Sequence, residues 1–170
     1  LHELSIVLIL EAMNALRGVL TITERPVETP LRKTSGFYLG GNIVLVPVLR
    51  AGLGMLDAGK MFFPSATVCR LGIKRDEETC LPRVHSEETP NGKPDVVFIL
   101  DPMIATGGSG IEADRRVKGW GAKYVVFVGV IAAPYGISQL HTAHDDVPVF
   151  LAALDDGGGQ PLFRERTLLA

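Results

Sequence analysis

The sequence predicts an α/β protein whose central, mostly parallel β-sheet is flanked by helices. Strand-length runs at residues 43–48, 96–100 and 124–132 are apolar at nearly every position, which is typical of parallel strands buried on both faces. Segments with helical patterns separate these runs, as βαβ units require. A chain of 170 residues is long enough for a single domain of this class, spanning residues 1–170.

Each predicted element has its own local signal. The first helix is apolar on more than one face, which indicates burial on several sides, by its own domain or by a partner subunit. Pro26 and Pro30 restrict the extended segments after it to sheet edges. In chain order, the sequence predicts a helix at 1–17, extended segments at 21–23 and 27–31, strands at 43–48, 66–73, 96–100, 124–132 and 147–154, and helices ending near 62, starting near 109 and spanning 135–143.

One long segment, at about 74–95, carries many charges and several prolines and has no apolar periodicity. A loop of this length inside a compact domain is usually a lid or disordered, so we expect a mobile lid loop. Its acidic residues are typical of solvation. The functional alternative is that Arg75 moves over a bound anion when the lid closes.

The most informative stretch is 96–109, in which a buried strand is followed by Asp101, Pro102 and a turn of small residues. Pro102 cannot donate to a strand ladder, so the strand ends at Asp101. This position is the carboxyl end of the strand, where open α/β sheets bind ligands. The turn at 106–109 leads into a helix with Ser109 as its predicted N-cap. Free N–H groups in such a turn favour an anion, normally a phosphate.

A second strand, turn and helix unit places Arg50 before Gly52 and Gly54. A guanidinium at this position can hold phosphate oxygens with two hydrogen bonds, although an ordinary surface arginine is the alternative. Asp57 replaces the third glycine of a dinucleotide fingerprint, which disfavours a nicotinamide cofactor. No Gly-Lys-Ser/Thr follows the turn at 106–109, which excludes a Walker loop.

Composition disfavours other functions. Lys and Arg number 17 against 19 Asp and Glu, so the net charge of −2 predicts no nucleic-acid partner. No apolar run reaches the roughly 20 residues of a membrane span. Cys69 and Cys80 lack metal or redox spacing and are expected to be free thiols in a cytoplasmic protein. His141 and His144 have no third ligand, which favours a helix-surface pair over a metal site.

Together these motifs resemble the uracil phosphoribosyltransferases, a branch of the type I phosphoribosyltransferase family. The Asp-Pro-Met form at 101–103 is specific, because most other type I members carry two adjacent acidic residues there. The matches follow family order and cover about residues 3–156. They are Glu28-Thr29-Pro30, Val46-Pro47-Val48-Leu49-Arg50-Ala51-Gly52-Leu53-Gly54-Met55, Arg75-Asp76-Glu77-Glu78-Thr79, Asp101-Pro102-Met103-Ile104-Ala105-Thr106-Gly107-Gly108-Ser109 and Ala132-Ala133-Pro134-Tyr135-Gly136-Ile137.

The resemblance implies a type I phosphoribosyltransferase fold and the transfer of ribose 5-phosphate from phosphoribosyl pyrophosphate (PRPP) to uracil, giving UMP and pyrophosphate in pyrimidine salvage. Mg²⁺ would accompany the donor. Asp101, Arg50 and Arg75 would be the catalytic residues, with Asp101 on the ribose hydroxyls and both arginines on pyrophosphate. The PRPP-binding residues implied are Arg50, Ala51, Gly52, Arg75, Asp101, Pro102, Met103, Ile104, Ala105, Thr106, Gly107, Gly108 and Ser109.

The sequence departs from the family in three places. The first thirty or so family residues are absent and the chain begins at Leu1, so we expect a piece of a longer protein. The tyrosine-rich continuation of the lid is replaced at 80–85. The tail at 157–170 lacks the glycine-rich segment that reads uracil, so the family hood is incomplete and no uracil-binding residues can be assigned.

The resemblance further implies a homodimer or larger homo-oligomer, and GTP as an effector because some relatives are activated by it. Two alternatives to the enzyme are open. The first is a non-catalytic or regulatory paralogue that binds PRPP or a nucleotide, which the altered tail favours. The second is an unrelated α/β nucleotide binder, which Arg50 and Arg75 disfavour.

Overall fold

The computed structural model describes residues 1–76, 79 and 81–155. Its helices are α1 His2–Ala15, α2 Leu53–Phe62, α3 Gly108–Gly119 and α4 Pro134–Ala143. Its strands are β1 Ile22–Glu28, β2 Lys33–Leu39, β3 Ile43–Leu49, β4 Thr67–Val68, β5 Leu71–Arg75, β6 Pro82–Glu87, β7 Val96–Leu100, β8 Met103–Ile104, β9 Tyr124–Val128, β10 Ile131–Ala132, β11 Val149–Phe150 and β12 Ala153–Leu154.

The main sheet has the strand order β11-β9-β7-β3-β5-β6, and the short strand β4 also pairs with β3. Its pairings are parallel except for the one between β5 and β6. At the centre, the register runs from Ile43 opposite Val96 to Pro47 opposite Leu100. The predicted α/β class with a mostly parallel sheet is therefore confirmed.

Helices cover both faces of this sheet because successive side chains of a strand point to opposite sides. On one face, Val46 belongs to a buried cluster with Ala113 and Val117 of α3. On the other face, Leu45 belongs to a cluster with residues of α1 and α2 such as Ile9. Each large apolar side chain buried in this way contributes about 1.5–3 kcal/mol, so both helical layers are fixed on the sheet.

Three predicted strands are each divided in the structure. The run at 124–132 breaks between β9 and β10, the run at 147–154 breaks between β11 and β12, and the run at 66–73 breaks between β4 and β5. The short strands β12, β10 and β8 form a separate parallel sheet beyond the ends of the main one. At Gly129, a Cβ would lie 2.9 Å from Leu151 and 3.1 Å from the Asp101 carbonyl oxygen. The chain therefore bends through a tight space that favours glycine, a break that apolar character alone does not reveal.

Part of the predicted lid loop is an antiparallel hairpin. Strand β6 pairs with β5 from Leu71 opposite Glu87 to Arg75 opposite Pro82, with an irregularity between Gly72 and Ile73. The prediction of a loop over all of 74–95 is therefore wrong for residues 74–75 and 82–87. Charged side chains hide strand β6 in the sequence because it lies at the edge of the sheet, where half of its positions are exposed and the others are half-buried. Residues 77, 78 and 80 lie outside the described residues.

Strands β1 and β2 form a two-stranded arm apart from the main sheet. Most of its apolar residues are exposed, with Ile22 at 70% and Phe37 at 74% of full exposure, whereas Val27 is half-buried. Pro26 lies in β1 of this arm, in agreement with the predicted edge position. A hairpin with few contacts is marginally stable by itself, so this arm has an apolar surface available for a partner.

Helix α1 has one buried and one exposed apolar face. Leu8, Ile9 and Ala12 are buried, whereas Leu4 and Val7 are 42% and 54% exposed. Burial by its own domain is therefore confirmed for one face, and burial of the other face by a partner subunit stays a prediction. No helix in the described part of the chain is long and apolar enough to span a membrane.

Candidate functional site

The candidate site lies at the carboxyl ends of the two central strands, where β3 and β7 each lead into a turn. In the first turn, the Gly52 N–H donates to the Val48 carbonyl oxygen at 2.8 Å. A Cβ on Gly52 would overlap the Leu100 carbonyl oxygen. The Arg50 turn is therefore held directly against the end of β7, one residue before Asp101, and only glycine permits this approach.

Asp101 is a mostly buried carboxylate with little support from the protein. Its main-chain N–H donates to the Val128 carbonyl oxygen at 3.1 Å, which fixes the backbone. Its Oδ1 accepts a single long hydrogen bond of 3.4 Å from the Met103 N–H. Burial raises the pKa of Asp101 from 3.8 to about 6, and the Met103 N–H opposes this rise only partly. The carboxylate can therefore gain hydrogen bonds from a ligand.

The turn that follows is closed by two glycines packed against each other's backbone. Gly107 has a φ of 81°, and a Cβ on it would lie 2.6 Å from the Gly136 carbonyl oxygen. Conversely, a Cβ on Gly136 would lie 2.6 Å from the Ala105 carbonyl oxygen. The amino-terminal end of α4 thus supports the turn from behind. Gly136 belongs to a motif that the sequence singled out, but its contact with the turn is visible only in the structure.

Helix α3 begins at this turn with Gly107 as its N-cap, rather than Ser109 as predicted. The left-handed conformation of Gly107 ends the turn earlier, so Ser109 lies in the first helical turn and makes no capping hydrogen bond. The first N–H groups of a helix have no partner within it and form the positive end of its dipole. Such a helix start can bind a phosphate.

These groups line a common cavity of about 190 Å³. Arg75 reaches it from the β5–β6 hairpin, and its Nη2 donates to Thr106 Oγ1 at 3.2 Å. Five residues predicted to bind PRPP do not line this cavity, namely Arg50, Ala51, Gly52, Pro102 and Gly108, and Arg50 and Ala51 are exposed. The lining residues are Arg75, Asp101, Met103, Ile104, Ala105, Thr106, Gly107, Ser109 and Gly110. The structure thus joins a carboxylate, a guanidinium and a helix start, all of which the sequence identified.

Comparison with known proteins identifies the family. The family model described as "Uracil phosphoribosyltransferase" matches residues 1–158. This chain belongs to the uracil phosphoribosyltransferase family. It is 46% identical over 138 residues to the uracil phosphoribosyltransferase of Roseiflexus castenholzii, covering 81% of this chain and 66% of that protein. It is 41% identical to the enzyme of that name from Ureaplasma urealyticum, covering 92% of this chain and 74% of the relative.

Solved structures agree with the family fold. A protein of Aquifex aeolicus is similar with a TM-score of 0.79 and 36% identity, covering 91% of this chain and 73% of that one. The adenine phosphoribosyltransferase of Trypanosoma brucei is 16% identical with a TM-score of 0.53, covering 74% of this chain and 63% of that one, and shows the fold alone. The predicted type I phosphoribosyltransferase fold is therefore confirmed.

The family match ends at residue 158, next to the point where the sequence departs from the family pattern. The chain spans about two thirds of the length of the Roseiflexus relatives. Residues 156–170, which include the predicted divergent tail, lie outside the described residues. No residue for the base can be added to the site from the described part of the uracil phosphoribosyltransferase fold.

The two histidines of α4 differ in environment. His144 Nδ1 lies 2.7 Å from Oδ2 of Asp114, a fully buried carboxylate of α3 that the sequence did not indicate. Lys118 Nζ lies 3.0 Å from the same oxygen. Burial raises the pKa of Asp114, while Lys118 and His144 act against this rise. These groups tie α3 to the end of α4, and His141 is exposed apart from them.

A larger cavity of about 440 Å³ lies at the opposite end of the strands, beside Tyr124 at the amino end of β9. Its two lysines, Lys118 and Lys123, are paired with carboxylates. In parallel α/β sheets, ligands bind at the carboxyl ends of the strands. The cavity beside Asp101 is therefore the functional candidate, although it is the smaller one.

Proposed function

We propose that this protein transfers the ribose 5-phosphate group of PRPP to N1 of uracil, releasing pyrophosphate and forming UMP for pyrimidine salvage. The observation that carries the proposal is the single cavity in which Asp101, Arg75 and the start of α3 converge. A ligand that uses all three must offer hydroxyls to a carboxylate and anionic groups to a guanidinium and a helix terminus. The donor PRPP carries these groups on one ribose, and the family match supports it as the substrate.

In this proposal, the donor is bound by charge and by backbone geometry. The Asp101 carboxylate accepts hydrogen bonds from the ribose hydroxyls. The turn from Ala105 to Ser109 surrounds the 5′-phosphate with main-chain N–H groups and the Thr106 and Ser109 hydroxyls. Arg50 and Arg75 bind pyrophosphate, each able to give a two-fold hydrogen-bonded contact. Pro102 has a structural part as well, since its carbonyl oxygen accepts hydrogen bonds from Val130 and Ile131.

The chemistry requires positioning and electrostatics more than a strong base. The bond between C1 of the ribose and a pyrophosphate oxygen breaks, the bond from C1 to N1 of uracil forms, and the N1 proton passes to water. Positive charge develops on the ribose in the transition state, so an ionised Asp101 next to it is favourable. Arg50 and Arg75 stabilise the negative charge of the departing pyrophosphate. Binding that holds N1 of uracil close to C1 of the ribose lowers the entropic cost of reaching the transition state.

The residues of the cavity fit a donor that carries magnesium. Mg²⁺ in such sites is held by one or two carboxylates together with substrate phosphates and water. Among the described residues, the Asp101 carboxylate has one weak partner, the Met103 N–H. Within the described part of the chain, no three His, Cys, Asp or Glu side chains form a metal cage. Magnesium bound with the donor would neutralise the leaving group.

Titration of PRPP with magnesium tests the donor site directly. Wild-type protein should bind it, and Asp101→Asn should bind it at least about tenfold more weakly because ribose hydroxyls lose a charged acceptor. Calorimetry measures both affinities, and omission of magnesium should weaken binding by wild type. Equal affinity of the two proteins would contradict the ribose role of Asp101. Repeating the titration with GTP present tests the effector that the family resemblance implies.

We further propose that two copies of the chain associate through the β1–β2 arm and α1, in a homodimer or a larger homo-oligomer. The exposed apolar residues Phe37 of the arm and Val7 of α1 support this assembly.

A buried free thiol at Cys69 agrees with a cytoplasmic location, where thiols remain reduced. The proposed reaction of PRPP with uracil involves no nucleic acid and no membrane.

Phe37→Ser should weaken self-association about tenfold or more, because aromatic residues dominate most protein interfaces. Light scattering across a dilution series measures the dissociation constant. Lys33→Ser changes an exposed residue of the same arm and should have little effect, which makes it the matched control. A Phe37→Ser protein that associates as tightly as wild type would contradict this use of the arm.

A further inference from the structure

The carboxylate of Glu87 fastens the β5–β6 hairpin to helix α3. Its Oε1 accepts a hydrogen bond of 2.8 Å from the indole N–H of Trp120. Its Oε2 accepts one of 3.2 Å from Nη1 of Arg116, in an ion pair whose side chains are 21% and 36% exposed. Arg116 is itself oriented by Glu112, which accepts a hydrogen bond of 2.8 Å from its Nε. Both oxygens of Glu87 are thus committed to the carboxyl-terminal end of α3.

The hairpin reaches the amino-terminal end of the same helix with Arg75. Glu87 lies opposite Leu71 at the base of the hairpin, and Arg75 lies opposite Pro82 at its far end. From there Arg75 donates to Thr106, and Pro82 lies 3.6 Å from the position of a Cβ on Gly108. Helix α3 therefore carries both attachment points of the hairpin, one beside Trp120 and one at the candidate phosphate turn.

Main-chain pairing holds only the base of this hairpin. Strand β5 pairs with the sheet through Val48 opposite Leu71 and Leu49 opposite Gly72. The hairpin ladder is irregular directly after Gly72. Beyond this point, Ile73 and Val84 pack in the core cluster that includes Ala113 and Val117 of α3. At the base of the ladder, Glu87 adds charge-assisted contacts with α3 that are partly screened from water.

We propose that Glu87 is a positioning residue for Arg75, which it holds at the phosphate turn by fixing the hairpin to α3. The inference rests on the proposed function, since it assigns Arg75 to the pyrophosphate of the donor. Loss of the Glu87 contacts leaves β6 held by its ladder with β5 and by the packing of Val84. A shift of β6 along α3 is then transmitted through that ladder to Arg75, and small displacements of a binding group lower affinity and alignment strongly. Glu87 touches no substrate in this account and acts entirely through Arg75.

A double-mutant cycle on the Michaelis constant for PRPP tests this dependence. Glu87→Ala should raise that constant about tenfold in the wild-type background, within the range of coupling carried by packed networks. In the Arg75→Ala background, the same change should raise it less than about twofold. Glu87→Gln keeps an oxygen for the Trp120 N–H and should restore most of the affinity. A full tenfold effect of Glu87→Ala in the absence of Arg75 would overturn the proposal.

Glu88→Gln is the matched control. Glu88 is the next residue, forms an ion pair of 3.2 Å with Arg70, and is about half exposed. It makes no contact with α3 among the hydrogen bonds of the described residues, so its replacement should leave the PRPP constant unchanged. If Glu88→Gln were as damaging as Glu87→Ala, any loss of charge from the hairpin would suffice and the specific role of Glu87 would be wrong.

The fluorescence of Trp120 separates this proposal from the proposed function. Trp120 is the only tryptophan of the chain, and its N–H donates to Glu87, so its emission reports directly on the attachment. In the ligand-free protein, Glu87→Ala should shift this emission to longer wavelength, and Glu88→Gln should not. An unchanged emission would overturn the attachment whatever PRPP does. Failure of wild type to bind PRPP, with the shift present, would instead refute the proposed function.

Discussion

Asp101→Asn should lower kcat/KM for PRPP by about a hundredfold to a thousandfold, the range found when one preorganised electrostatic group is removed from a site. The amide keeps the shape of the side chain but cannot stabilise positive charge on the ribose. In wild type, kcat/KM should also fall below about pH 6, because Asp101 becomes protonated with a pKa of about 6. Steady-state kinetics between pH 5 and 8, a range set by that pKa, measure both effects.

The same substitution should make the ligand-free protein more stable at neutral pH. The pKa of Asp101 is raised from 3.8 to about 6 on folding, so the folded state binds this proton more tightly than the unfolded state. The favourable contribution is complete below pH 3.8 and is lost as the pH rises to about 6. At pH 7 the buried charge is a cost, and Asp101→Asn should relieve about 1–2 kcal/mol of it, as measured by denaturant unfolding.

Asp95→Asn is the matched control, because Asp95 lies just before the other end of β7. Its pKa is lowered by hydrogen bonds from Lys123 and from the Asn42 main chain. Its replacement should therefore leave PRPP kinetics unchanged and should not stabilise the protein. If Asp101→Asn were fully active, or less stable than wild type at pH 7, the description of Asp101 as an unsupported functional carboxylate would be wrong.

Gly136→Ala should raise KM for PRPP by more than about tenfold, because the added methyl group would lie 2.6 Å from the Ala105 carbonyl oxygen. The atoms nearest to this methyl group are main-chain atoms of Ile104 and Ala105. Because no side chain there can rotate away, the phosphate turn itself must shift. Overpacking of this kind costs about 1–3 kcal/mol of stability. Kinetics with PRPP and a thermal unfolding curve measure the two consequences.

Gly119→Ala provides the comparison, since Gly119 is also helical and a Cβ on it would have nothing within 4 Å. This variant should have wild-type kinetics. A Gly136→Ala protein with an unchanged KM would contradict the conclusion that α4 supports the phosphate turn through direct backbone contact.

The sequence predicts those parts of the fold that depend on continuous burial. Strands β3, β7 and β9 are apolar throughout because both of their faces are covered, and the strand ends at Asp101 because Pro102 cannot extend it. The edge strand β6 is missed for the opposite reason. Its alternating exposure and charged residues are the pattern of a solvated loop, and only pairing with β5 makes it a strand.

Several site features depend on contacts between distant residues, which no local pattern contains. The capping position moves from Ser109 to Gly107 because Gly107 meets Gly136 from another helix. In the sequence, Glu87 is one of many charged residues of its segment. Its role becomes visible only where the structure places Trp120 and Arg116 beside it. In contrast, Arg75, Asp101 and the turn at 105–109 were identified from the sequence, because each follows directly from the end of a strand or from the motif that resembles the family.

Pyrophosphate release from PRPP and magnesium, measured with and without uracil, tests the proposed transfer. Release should depend on uracil, yield an equal amount of UMP, and fall by about a hundredfold or more in Asp101→Asn. Binding of PRPP without uracil-dependent release would contradict transfer to uracil and would favour a binding protein that keeps the donor site of the family.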